Sequence, residues 1–150
     1  MRTAFLFLSN LTRSKGVFEF FEALKQLNEK ELNFSAEIVG PEYDIKIEYL
    51  QQVIQDAGLQ NRVKVTGPIY GDDKFRKFLE CDIFVFPTWF EAFPGVVLEA
   101  MQSALPIITT KEGAIPEIVD DGSTGFLVEQ KDVPALAAQM EVLLSDISLR

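Results

Sequence analysis

In the stretch "PTWFEAFPGVVLEAMQSALP", Glu91 and Glu99 stand eight positions apart, separated by Phe-Pro-Gly and a run of valines and leucine. Proline is favoured at the first position of a helix, so a helix is expected over 94–103, with Pro94 at that position and Phe93 at the N-cap. Phenylalanine cannot cap, so the N–H groups of Gly95, Val96 and Val97 are expected without a side-chain acceptor. An uncapped helix start offers N–H groups to an anion, and Gly95 lets a ligand approach the backbone. Carboxylates repel phosphate, so Glu91 and Glu99 read as acceptors for hydroxyl groups, such as those of a sugar or ribose, rather than as a general acid/base pair. The competing reading makes Glu99 an exposed helix residue and Glu91 a loop charge.

A second cluster lies in "SNLTRSKG", where Arg13 and Lys15 flank a helix start. A cation beside free backbone N–H groups suits phosphate, although both side chains read equally well as solvated surface charges. The segment "TTKEGAIPEIVDDGSTG" adds Lys111, Gly113 and Glu117, with an acid where the first helical turn favours one.

The elements that must position these residues alternate strictly. Strands are expected at 2–8, 34–40, 62–67, 82–87, 105–110 and 125–130, each a short apolar run of strand length. Helices follow each of them, over 14–30, 45–58, 72–81, 94–103, 115–122 and 132–146. Ser14 is the expected cap of the first helix, Asp72 or Asp73 of the third and Asp132 of the last, while Gly58 supplies a C-terminal stop. Six strand–helix alternations imply a single α/β domain over 1–150, a doubly wound, Rossmann-like parallel sheet of about six strands with helices on both faces. Ligands of such sheets bind beyond the carboxyl ends of the strands, which points to the segments 9–16, 40–44, 66–72, 87–95, 109–116 and 129–132.

Composition narrows the chemistry. The 150 residues are 47% hydrophobic, enough for one packed core. The net charge of −9 and the lack of a basic stripe argue against nucleic acid and anionic membrane as partners. The chain has no histidine, which removes the commonest general base and zinc ligand. The lone Cys81 forbids an internal disulfide, reads as a small buried residue and suits a reducing, cytoplasmic compartment. No apolar run reaches membrane-span length, and "MRTAFLFLSN" is too short in its apolar part for a secretory signal. G-x-G-x-x-G is absent after every strand, which makes NAD or FAD a poor fit.

"FLSNLTRSKGVFEFFEAL", "VTGPI" and "DIFVFPTWFEAFPGVVLEAMQSALPIITTKEGAIPEIVDDGSTGFLV", in that order and with those gaps, resemble the C-terminal half of a GT-B glycosyltransferase of the large retaining family called group 1 or family 4. The resemblance implies a nucleotide-sugar donor site and sugar transfer with retention, with no cofactor and no metal. It implies that Glu99 takes the ribose hydroxyls and that Glu91 sits near the sugar. The backbone of Phe93, Pro94, Gly95 and Val96 would meet sugar and diphosphate, Lys15 would neutralise the diphosphate, and the stretch Gly67 to Ile69 would border the base. The donor would be a UDP-, GDP- or ADP-linked sugar. The family carries Gly-Arg-Leu where this chain has Ser9-Asn10-Leu11; Asn10 cannot replace the arginine's charge, and Arg13 is the candidate substitute. The family also has an N-terminal domain for the acceptor, absent from this chain, so the chain reads as an excised or truncated donor half that transfers little by itself, with any membrane association left to the absent domain. The alternatives are half of a nucleotide-sugar epimerase, a non-catalytic nucleotide-sugar-binding module, or a phosphate-binding regulatory module that takes no sugar.

Overall fold

The computed structural model describes residues 2–150. Six strands run in chain order: β1 (Thr3–Leu8), β2 (Phe34–Val39), β3 (Val63–Thr66), β4 (Ile83–Phe86), β5 (Ile107–Thr110) and β6 (Phe126–Val128). They form one sheet in the order β3-β2-β1-β4-β5-β6, every neighbouring pair parallel. The helices between and after them are α1 (Val17–Glu29), α2 (Ile47–Asp56), α3 (Gly71–Glu80), α4 (Gly95–Gln102), α5 (Ile115–Ile118) and α6 (Val133–Ser145). The order reverses between β1 and β4, so their carboxyl ends diverge and open a crevice. Every residue of β4 and β5 is buried, as a continuous apolar run requires of strands covered on both faces.

Phenylalanines lock the reversal point. Phe7 on β1 packs against Phe20 of α1 at 5.9 Å and Phe86 of β4 at 6.2 Å between centroids. Phe84 contacts Phe78 of α3 at 5.6 Å. All five rings are fully buried, and each aromatic pair is worth about 0.5–1.5 kcal/mol beyond its area. At the other end of these strands Asp82 ties β4 to β1, its carboxylate accepting from Ala4 N–H at 2.8 Å and its own N–H donating to Ala4 O at 2.8 Å.

Four expected helix starts shift, that of α2 only from 45 to Ile47. Ser14 does not cap α1: residues Arg13–Lys15 form a short 3-10 turn, and α1 begins after Gly16, whose φ is +85°. The Ser14 carbonyl is instead taken by the loop after β4. Helix α3 begins at Gly71, preceded by Tyr70, with Asp72 and Asp73 in its first turn and neither acting as cap. Helix α4 begins at Gly95, so Pro94, not Phe93, occupies the cap position and lies one residue outside the helix. Gly58 (φ +71°) ends the α2 region, and Asp132 caps α6 through Ala135 N–H at 3.0 Å. The strands are trimmed at their ends relative to the expected ranges; Asp82 and Pro87, for example, fall outside β4.

Cys81 is half-buried, its Sγ 3.5 Å from Phe78 O. Burial, and secondarily the neighbouring Asp82 charge, pushes its thiol up to about 12. Since the thiolate is the nucleophile, alkylation by iodoacetamide at pH 8 is expected to run roughly a hundredfold or more slower in the native protein than in urea. Equal rates would contradict the buried placement.

Candidate functional site

The loops at the carboxyl ends of β1 and β4 are zipped together by the shifted start of α1. Ser14 O accepts from Trp89 N–H at 2.9 Å and Phe90 N–H at 3.2 Å, and the Thr88 hydroxyl shares its proton between Ser14 O and Phe90 O, each at 3.1 Å. Thr88 O in turn accepts from the Thr110 hydroxyl at 2.6 Å, which brings in the end of β5. A Cβ on Gly16 would lie 2.1 Å from Pro87 O, so only glycine lets α1 start this close to the loop. Gly113, with φ +52°, also passes close to Glu91 O, 2.8 Å from where its Cβ would stand.

This docking delivers Lys15 to Glu91. Lys15 Nζ donates to Glu91 Oε2 at 2.7 Å and to Phe90 O at 3.1 Å; Glu91 Oε1 accepts from Phe93 N–H at 3.1 Å. The Glu91 side chain is only 11% exposed, so it is held by partners as a buried carboxylate must be. A second pair closes the other side. Lys74 of α3 meets Glu99 of α4 with both carboxylate oxygens at 2.9 Å. Gly95 N–H and Val97 N–H are taken by Phe93 O and Pro94 O. Among the described residues Val96 N–H finds no acceptor, and Val96 lines the space between the two pairs.

The cleft between the pairs has a volume of roughly 390 Å³ and is lined by Asn10, Lys15, Ile69, Glu91, Phe93, Gly95, Val96 and Glu99, all singled out in the sequence, together with Ser9, Tyr70 and Lys74. Phe93 and Tyr70 are 70% and 72% exposed on its rim. Three of the residues expected at the donor site do not line it. Arg13 points its guanidinium over the Phe18 ring at 5.0 Å while its N–H bonds the Asp44 carboxylate at 3.1 Å. Pro94 is buried beneath the loop, and Gly67 lies behind Ile69, beside Ile47. Lys111 pairs with Glu129 at 2.7 Å on the surface, which raises its pKa, and neither it nor Glu117 reaches the cleft. A larger depression of roughly 500 Å³ lies around Pro106 and Phe126, at the amino ends of β5 and β6; it lacks the paired charges and sits away from the strand ends where such sheets bind ligands. Among the described residues no group of three or more His, Cys, Asp or Glu side chains is placed to hold a metal ion, and no helix is long and apolar enough to cross a membrane.

Lys74 is the residue that sequence reasoning missed. It sits in "GDDKFRKFLE", where a lysine in a charged amphipathic helix reads as a solvated charge. The only available signal was its place in the first turn of the helix that follows β3, at the ligand edge.

The profile of glycosyl transferases group 1 matches residues 2–146. The chain is 30% identical over 147 residues to a D-inositol 3-phosphate glycosyltransferase of Paenarthrobacter aurescens, covering 97% of this chain and 36% of that protein. It is 31% identical over 146 residues to the capsular polysaccharide biosynthesis glycosyltransferase CapM of Staphylococcus aureus, covering 96% of this chain and 37% of that protein. The chain thus spans about a third of the length of these relatives. Its structure superposes on the C-terminal domain of a group 1 glycosyl transferase (LpcC) from Francisella tularensis with a TM-score of 0.84 at 30% identity, over 99% of this chain and 77% of that one. It superposes on Anabaena HepE in complex with UDP with a TM-score of 0.87 at 27% identity, over 99% of this chain and 40% of that one.

Proposed function

Because this chain belongs to the glycosyl transferases group 1 family, we propose that it is the nucleotide-sugar-binding domain of an enzyme that transfers a sugar, of hexose type, from a nucleoside diphosphate to an acceptor, with retention and without a metal. The observation that carries the reading is the convergence of two lysine–glutamate pairs and the Val96 N–H on one cleft at the reversal of strand order. In this reading Glu99 accepts from the ribose diol and Glu91 from the sugar hydroxyls. Lys15 and the N-terminus of α4, at Gly95 and Val96, face the diphosphate. Ile69 borders the base, and Phe93 covers the sugar. The departing diphosphate gathers negative charge as the glycosidic bond breaks. A preorganised lysine and helix N-terminus stabilise that charge more than the ground state, which is how such a site accelerates transfer. The acceptor would reach the sugar from a second domain, the product being a polysaccharide or glycoconjugate made in the cytoplasm.

Asn10 on the cleft wall carries no charge, and Arg13 is turned onto Phe18. This favours, as a second reading, a module that binds nucleotide sugar without transferring it. Isothermal titration of the chain with UDP-, GDP- and ADP-glucose is expected to show binding to at least one; silence from all three up to millimolar concentration overturns both readings. Joining the chain to an acceptor domain and assaying for product of retained anomeric configuration separates them, since only the first yields product.

A further inference from the structure

We propose that Lys74 is a positioning residue that sets the preference of this cleft for a ribose diol, an inference that rests on the nucleotide-sugar reading above. Glu99 has no other hydrogen-bond partner for its carboxylate among the described residues; Lys74 Nζ donates to Oε1 at 2.9 Å and stands 2.9 Å from Oε2. The glutamate side chain is 40% exposed and the lysine 29%. Without the lysine, a glutamate this open would sample several rotamers.

Lys74 is itself held. One turn further along α3, Lys77 bonds both oxygens of Glu37 on β2 at 2.9 and 3.0 Å, and Phe78 is buried in the core. Glu37 is braced by the Thr66 hydroxyl at 2.7 Å at the end of β3. The sheet therefore fixes α3, α3 sets where the Lys74 side chain leaves the helix, and its ammonium orients the Glu99 carboxylate as an acceptor. With Lys74 donating to Oε1, both carboxylate oxygens keep lone pairs for hydroxyls, and the ammonium keeps further donors. The pair thus matches two vicinal hydroxyls, where charge-assisted bonds are stronger than neutral ones. Lys15 and Glu91 occupy the far side of the cleft, so loss of Lys74 should spare the diphosphate contacts.

The test measures the affinity of whichever of UDP, GDP and ADP binds tightest, beside its 2′,3′-dideoxy form, by titration. Lys74→Met is expected to weaken the ribonucleotide about tenfold, the loss of one charge-assisted contact, and the dideoxy form less than twofold. Lys74→Arg should restore most of the discrimination. If Lys74→Met leaves the ratio of the two affinities unchanged, or lowers both equally, the positioning role is overturned while nucleotide binding stands. If the unaltered chain binds none of the three nucleotides, the underlying reading falls and takes this inference with it.

Discussion

Glu99→Gln is expected to reduce affinity for the nucleoside diphosphate by about 10- to 100-fold, the largest effect of any single side chain in the cleft. The amide keeps the shape of the carboxylate but loses its charge and offers one acceptor oxygen in place of two. Two charge-assisted hydroxyl bonds weaken together, and each is worth about 1.5–3 kcal/mol. The substitution also frees Lys74, which is 29% exposed and can turn to water, so the fold should tolerate the change. Titration with UDP, GDP and ADP measures it, with the thermal midpoint as the control. An affinity within threefold of the unaltered chain, at an unchanged midpoint, would remove the ribose role of Glu99. It would favour a site that holds phosphate alone. The corresponding change at Glu91 reads differently, because that carboxylate is tied to Lys15 and to Phe93 N–H. In the proposed reading its loss would disturb the diphosphate side as well as the sugar side.

Gly16→Ala should be the most destabilising small substitution at the site. At φ +85° an L-residue is strained by about 1–2 kcal/mol. A methyl group 2.1 Å from Pro87 O must also push a backbone segment away. The combined cost is expected to be at least about 2 kcal/mol, lowering the midpoint by roughly 4–8 °C for a chain of this size. Gly58→Ala separates the two contributions. Gly58 has φ +71° but nothing within 4 Å of its added Cβ, so it bears the strain without the collision and should lose only about 1–2 kcal/mol. If the two variants melted together, the approach of α1 to the loop after β4 would be soft. Because Lys15 precedes Gly16, displacing this joint should also part Lys15 from Glu91 and weaken nucleotide binding, which Gly58→Ala should not do.

The alternation of strands and helices was legible because each element announces itself locally. Runs such as "DIFVFP" and "LPIITT" are short and carry no polar alternation, as a strand covered on both faces does. The helix of Val17–Glu29 shows its buried face at Phe20, Phe21, Leu24 and Leu27, the spacing of 3.6 residues per turn. The pair Glu91 and Glu99 was legible for a similar reason. An apolar helix start without a capping side chain leaves polar groups that a ligand can satisfy, and both glutamates line the cleft.

What sequence could not decide was who meets whom. Ser14 looked like a cap because capping is a local exchange between a side chain and N–H groups nearby. It lost to a loop 74 positions away, which needed the Ser14 carbonyl as acceptor for the Thr88 hydroxyl and neighbouring N–H groups. Likewise Lys15 and Glu91 are 76 positions apart, and Lys74 and Glu99 are 25 apart on different helices. Arg13, two residues from Lys15, turned to Phe18 instead. By itself the sequence determined the elements, their parallel winding and the edge at which the paired charges stand, because hydrophobic periodicity and turn chemistry are properties of neighbouring residues. Only the tertiary structure decided the strand order that sets β1 beside β4, and with it which lysine neutralises which glutamate. Charge pairing depends on distances of a few ångströms between loops, and no local pattern encodes those.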